Sequence, residues 1–293
     1  MMIYESINLV FYKMARTRLT ITLKDTLLQL LDELIDGQKI RNRSHAIEFL
    51  LSQTLVPKQI KVLILAGGEG VNFRPLTFEM PKSLIPVAGK PLLEHTVLNL
   101  RKHNLTDVTI SLGYLGEKIK EYFGDGSRWG LQISYLEQSQ NKKGGTAQPV
   151  KQAQESFGGG PFLLVYGDVL TDLDFVDVLD FHRSQKSPVA TMALAPVERV
   201  SMWGVTKVMG NKIVEFEEKP DAPKTHSHLV NAGIYVMEPS IFKYIGRESV
   251  RLESDVFPRL ADEGKLAAYP FEGKWYDVST PEIYERVIKE WKK

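Results

Sequence analysis

The chain has 293 residues, of which 43% are hydrophobic and 25% charged, with a formal net charge of +1 and no cysteine. This length allows a large core and two domains. The charge balance excludes a generally nucleic-acid-coating protein, and the missing cysteine excludes disulfides, thiolate metal sites and cysteine nucleophiles. No apolar run approaches the roughly 20 residues that cross a bilayer, so no membrane partner is expected and the expected location is cytoplasmic. Residues 1–13 lack the basic region of a secretory signal, and Glu5 and Asn8 interrupt their apolar part. Met14 opens a natural domain start, so 1–13 read as a disordered extension or as sequence before an alternative start.

Residues 14–57 form the first expected domain. Within it, 18–23 alternate strictly: Leu19, Ile21 and Leu23 face one side of a strand, and Arg18, Thr20 and Thr22 the other. Leu27, Leu28, Leu31, Leu34 and Ile35 then follow helical spacing, with Asp25 or Thr26 placed to cap the start and Gly37 to close the end. A second helix is expected from about Arg43 to Leu55, with Asn42 or Ser44 at its start. One strand and two short helices cannot bury these faces alone, so dimerisation is expected. The order strand-helix-helix resembles the ribbon-helix-helix DNA-binding family. That resemblance implies a homodimer or higher homo-oligomer whose paired strands carry Arg18, Thr20 and Thr22 to base edges, with a phosphate held near Arg43 and Ser44. A module that only clamps two chains together is the alternative.

From residue 58 to 293, apolar segments at 62–65, 107–112, 131–136, 162–166, 189–194 and 232–237 alternate with helical patterns such as 91–103 and 173–184. This order predicts an α/β domain: a mostly parallel, doubly wound, Rossmann-like sheet with helices on its faces. Residues 138–146 and 220–228 are polar and rich in breakers, and read as loops beside a site. Tyr284, Val287, Ile288 and Trp291 follow helical spacing as a packing face.

The stretch 62–86, VLILAGGEGVNFRPLTFEMPKSLIP, is the most informative. An apolar strand runs into Ala66, Gly67, Gly68 and Gly70, whose backbone can turn sharply and approach a ligand. Arg74 and Lys82 follow. Bare amides beside fixed cations suit phosphate. No Lys-Ser or Lys-Thr follows at Walker A spacing, and Phe73 stands where a dinucleotide fingerprint needs a small residue. The arrangement resembles the signature G-x-G-T-R-x-x-P followed by P-K of the sugar-1-phosphate nucleotidyltransferases, here Gly68 to Pro75 and then Pro81-Lys82.

The resemblance continues in order along the chain. Gly145-Thr146 resembles the loop that contacts base and sugar phosphate, and Gly167-Asp168 the strand end whose Asp binds magnesium. Glu218 and Lys219 match the F-x-E-K-P segment, implying contacts to sugar hydroxyls and to the sugar phosphate. Asn231 and Gly233 match the N-A-G motif that also holds the sugar. Asp277 in Trp275-Tyr276-Asp277 is similar to the second metal carboxylate.

What the resemblance implies is a Mg2+-dependent enzyme joining a nucleoside triphosphate to a sugar 1-phosphate. Lys82, Arg74 and the residue at position 72 would act on the triphosphate. The chain departs from the pattern at Val71-Asn72, where relatives carry Thr-Arg, and at Gln148 and Ser279, where relatives often carry glycine. Two outcomes stay open: an active transferase, or a regulator that senses a nucleotide sugar. His226 and His228 form an H-x-H pair without further ligands nearby, which reads as loop histidines rather than zinc ligands.

Overall fold

The computed structural model describes residues 20–35, 40–47, 50, 60–138, 145–221 and 227–291. The chain divides into two units, Met1–Lys58 and Gln59–Lys293. The expectations for residues 1–13, Arg18, Gly37, Gly144 and His226 lie outside the described residues.

In the first unit one helix spans Asp25–Glu33. Its N-cap is Lys24, which offers no side-chain acceptor, rather than Asp25 or Thr26; Asp25 instead places its charge in the first turn, against the exposed amides. Leu31, Ile40 and Ala46 are buried together, with Ile35 and Ile47 packed against them. Residues 43–47 are helical, and the Asn42 side chain accepts from the His45 amide at 2.9 Å, so Asn42 caps this stretch as expected. Residues 20–24 belong to no helix or strand, so the described part of the expected strand 18–23 is not formed in the single chain.

Among the described residues the second unit contains thirteen strands: β1 (Lys61–Leu65), β2 (Pro86–Val87), β3 (Lys90–Pro91), β4 (Asp107–Leu112), β5 (Gln132–Glu137), β6 (Phe162–Tyr166), β7 (Val169–Thr171), β8 (Ala190–Pro196), β9 (Gly204–Met209), β10 (Lys212–Glu218), β11 (Leu229–Met237), β12 (Leu266–Pro270) and β13 (Trp275–Asp277). Nine form one sheet in the order β5-β4-β1-β6-β11-β8-β12-β10-β9. The expected predominance of parallel pairing holds at the β5-β4-β1-β6 end; in the rest of the sheet β8 and β12 pair parallel and the other pairs are antiparallel. β5, β4, β1 and β6 are parallel, whereas β11 lies antiparallel between β6 and β8. The sheet is therefore mixed. β11 is buried along nearly its whole length, and a strand covered on both faces shows the same apolar run in either direction.

Both sheet faces are covered, as a doubly wound fold requires. Val62 and Ile64 pack with Leu93, Val97, Ile119 and Phe175, while Leu63, pointing the other way, packs with Val150, Phe157, Phe257 and Leu260. A third cluster joins Phe73, Ile85 and Val87 to Leu170, Tyr276, Val278 and Val287. It fastens the segment after β1 to the β7–β13 ribbon and to the helix Pro281–Glu290. Of the expected C-terminal packing face, Val287 is buried but Ile288 is 53% exposed.

Candidate active site

The carboxyl ends of β1, β4 and β6 meet under the glycine-rich loop. The Leu65 carbonyl accepts from the Gly167 amide at 2.9 Å, the Ala66 amide donates to Ser111 at 3.0 Å, and the Tyr114 amide donates to the Gly67 carbonyl at 3.2 Å. Gly113 lies so close that a Cβ there would strike the Gly67 carbonyl oxygen. Gly70 adopts a φ of +62°, left-handed backbone that glycine takes at little cost, and its carbonyl accepts from Thr77 at 2.8 Å.

Beside this loop opens a cleft of about 870 Å³, lined among others by Gly67, Gly68, Gly145, Thr146, Asp168, Glu218 and Lys219. A second cavity of about 260 Å³ is lined by Lys82, Asn231, Gly233 and Asp277, and shares Tyr166, Asp168, Glu218, Lys219 and Glu253 with the first. Residues scattered between positions 67 and 277 thus share one continuous site.

Four expected residues line neither cavity. Ala66 is buried and Gly70 turns the backbone behind the loop. Arg74 is exposed; it pairs with Glu69 at 3.1 Å and lies 5.2 Å over the Phe78 ring. Asn72 is also exposed, and its amide donates to the Ser279 carbonyl at 3.1 Å. Two of the departures from the family pattern, Asn72 and Ser279, therefore meet each other. A short amide at position 72 ties the loop to the turn after β13.

In the second cavity Lys82 forms an ion pair with Asp168. Burial disfavours the Lys82 ammonium, but Asp168 and then Asp277 outweigh it and hold its pKa above the ordinary value. Asp277 is pushed up to about 6, first by burial and next by repulsion from Asp168, with Lys82 and the Trp203 indole opposing. Two hard carboxylates facing one space suit a small divalent cation that completes its shell with phosphates and water. Among the described residues no group of three or more His, Asp or Glu could hold a metal unaided.

Glu218 ends β10 and is raised to about 7, by burial and then by Glu253. Lys219 follows at a φ of +44° and lines both cavities. Asn231 accepts from the Gly233 amide at 3.0 Å and from the Tyr235 hydroxyl at 2.8 Å. Gly233, at a φ of +72°, packs against the Tyr166 ring.

Two site residues carried no sequence signal of their own. Glu253 is buried and accepts from Thr146 at 2.6 Å and from the Tyr166 hydroxyl. Trp203 donates from Nε1 to Asp277 at 2.9 Å. Glu253 could have been flagged only as one of two acids, with Asp255, set among Leu252, Val256 and Phe257. His228 bonds the Val197 carbonyl at 3.0 Å, a loop contact.

The pattern of the nucleotidyl transferase family matches residues 61–293, which include every residue of this site. The chain belongs to the nucleotidyl transferase family. It is similar to the UTP--glucose-1-phosphate uridylyltransferase of Synechocystis, with 34% identity over 244 residues, 78% of this chain and 63% of that protein. It is similar also to the mannose-1-phosphate guanylyltransferase catalytic subunit beta of Danio rerio, with 34% identity over 230 residues, 77% of this chain and 62% of that one. The chain thus spans less than two thirds of the length of these relatives. A Bacillus anthracis structure provisionally named a glucose-1-phosphate thymidylyltransferase superposes with a TM-score of 0.72 at 28% identity, over 78% of this chain and 94% of that one. This nucleotidyl transferase unit therefore has the Rossmann-like α/β fold of its structural neighbours.

Proposed function

We propose that the chain transfers a nucleotidyl group from a nucleoside triphosphate to a sugar 1-phosphate of the glucose or mannose type, giving a nucleotide sugar and pyrophosphate. The observation that carries this reading is the pair of cavities that share Asp168, Glu218 and Lys219, with the glycine backbone and Thr146 lining one and Lys82, Asn231 and Asp277 lining the other. The attacking group is a sugar phosphate oxygen, which is already anionic. It bonds to the α-phosphorus as the bond to the bridging oxygen breaks and pyrophosphate leaves. No general base is needed, and the site's task is to hold two polyanions in line and offset the charge that accumulates.

In this reading Gly67, Gly68, Gly145 and Thr146 bind the nucleotide. Glu218 and Asn231 hold sugar hydroxyls, Gly233 lets the sugar lie close to the backbone, and Lys219 meets the sugar phosphate. Lys82, freed from Asp168 by an incoming phosphate, neutralises the reacting group. Asp168 and Asp277 are the residues that would hold Mg2+, which when bound neutralises phosphate charge. Pyrophosphate release from UTP or GTP with glucose or mannose 1-phosphate tests the proposal. Turnover should fall at least a hundredfold in Asp168→Ala, and no turnover with any such pair would overturn it.

We propose further that residues 14–57 form a DNA-binding dimerisation module. Among the described residues Leu27, Leu30 and Leu34 are 50%, 58% and 38% exposed, more apolar surface than the three buried residues described there cover. Thr20, Thr22 and Ser44 are exposed, and Arg43 forms a two-pronged pair with Asp32, both contacts at 2.7 Å. Retarded mobility of genomic DNA fragments at low salt supports the module; an intact dimer that leaves them unshifted reduces it to a clamp.

A second reading, a nucleotide-sugar-sensing regulator of weak turnover, is favoured by Asn72 and its bond to Ser279. Losing a cation near a phosphate forfeits up to ~4 kcal/mol at a separation of about 4 Å and an effective dielectric of about 20. That is about a thousandfold in rate. A large gain in turnover in Asn72→Arg, together with DNA binding that shifts on adding nucleotide sugar, would select it.

A further inference from the structure

We infer that Trp203 is a positioning residue that aims the Asp277 carboxylate at the divalent cation; this rests on the two-carboxylate reading given under Proposed function. Asp277 ends β13 beside two groups that pull it in different directions, the Asp168 carboxylate repelling it and the Lys82 ammonium attracting it. A carboxylate so placed needs a fixed partner to keep one orientation. The Trp203 indole supplies it, Nε1 donating to Oδ2 at 2.9 Å. An indole N–H donates only and cannot itself bind a cation, so it fixes one oxygen and leaves the other to face the ion.

The indole is in turn held in place. Its ring meets Trp275 edge to face, with centroids 5.6 Å apart, and Trp275 Nε1 donates to the Ala232 carbonyl at 2.9 Å. The Trp203 carbonyl accepts from the Lys219 amide at 3.2 Å. One residue therefore links the carboxylate of β13 to the turn that presents Lys219. Groups that orient a metal ligand in this way commonly alter metal affinity 10- to 100-fold when removed.

The test is Mn2+ binding, followed by loss of the free-ion paramagnetic resonance signal, in the full chain and in Trp203→Phe, each saturated with glucose or mannose 1-phosphate. Phenylalanine keeps an aromatic ring against Trp275 and deletes only the donor. The expected result is an Mn2+ Kd about tenfold higher in Trp203→Phe, with Tm and metal-free nucleotide Kd within about twofold of the parent. Trp203 does not line the nucleotide cleft, so nucleotide affinity reports general damage separately. An unchanged Mn2+ Kd, or a parallel loss of nucleotide binding and Tm, overturns the inference. A parent chain that binds no Mn2+ overturns the two-carboxylate reading instead.

Discussion

At the scale of single residues, the candidate site holds charges of both signs close together, several of them buried. Glu218 is the clearest case, since burial raises its carboxyl to about 7 from an ordinary 4.5. The folded chain then keeps a proton that the unfolded chain has already released, so stability from this group falls as pH climbs from about 4.5 to about 7. Thermal unfolding across pH 5 to 8 should show this decline, and Glu218→Gln should flatten it. Sugar 1-phosphate binding should tighten over the same range as the carboxylate forms and accepts hydroxyl hydrogen bonds. An identical KM at pH 6 and pH 8 would remove Glu218 from the sugar site. Lys82, Asp168 and Glu218 were legible as residue types within motifs. Their mutual contacts were not, because the Lys82–Asp168 pair joins positions 86 apart in sequence. Trp203 and Glu253 were not legible at all, since their roles come from what they touch.

At the scale of elements, the glycine-rich loop depends on close backbone approach between β1 and β4. Gly113 makes that approach possible, and a methyl group there collides with the Gly67 carbonyl. Gly113→Ala should cost about 1–3 kcal/mol of stability and raise the KM for nucleotide at least tenfold. Denaturant unfolding and initial-rate kinetics measure both, and a variant with parental values would show that the loop adjusts freely. The Asn72 bond to Ser279 is a link of the same kind, between the loop and the β13 exit. Asn72→Ala should lower kcat more than it changes nucleotide KM, because Asn72 lines neither cavity. In the first unit, Asn42→Ala removes the cap on the His45 amide and should cost about 1 kcal/mol. Strands β1, β4, β5, β6, β8 and β11 followed from apolar runs, within a residue or two except for an earlier start to β11. β9, β10, β12 and β13 did not, being short or half-exposed, and their pairings come from distant parts of the chain.

At the scale of the whole molecule, the exposed leucines of the first unit make an association prediction. Leu30→Glu places a charge on a face that a partner chain would cover, and should shift the sedimentation of the full chain from dimer to monomer at micromolar concentration. A parent that is monomeric throughout would remove the dimer from the proposal. The proposed nucleotide site should respond to ligand by mass action: a nucleotide at about 100 times its Kd adds ~2.7 kcal/mol of apparent stability.

The sequence by itself determined the family, the α/β class of residues 61–293 and the ordered set of motifs, because these rest on local patterns: period-two and period-3.6 hydrophobicity, glycines where backbone must turn, acids after apolar strands. Only the tertiary structure decided that β11 enters the sheet antiparallel, that Asn72 meets Ser279, and that Trp203 and Glu253 belong to the site. Those outcomes depend on which distant segments come into contact, and a chain records the polarity of each segment far more plainly than the identity of its neighbour.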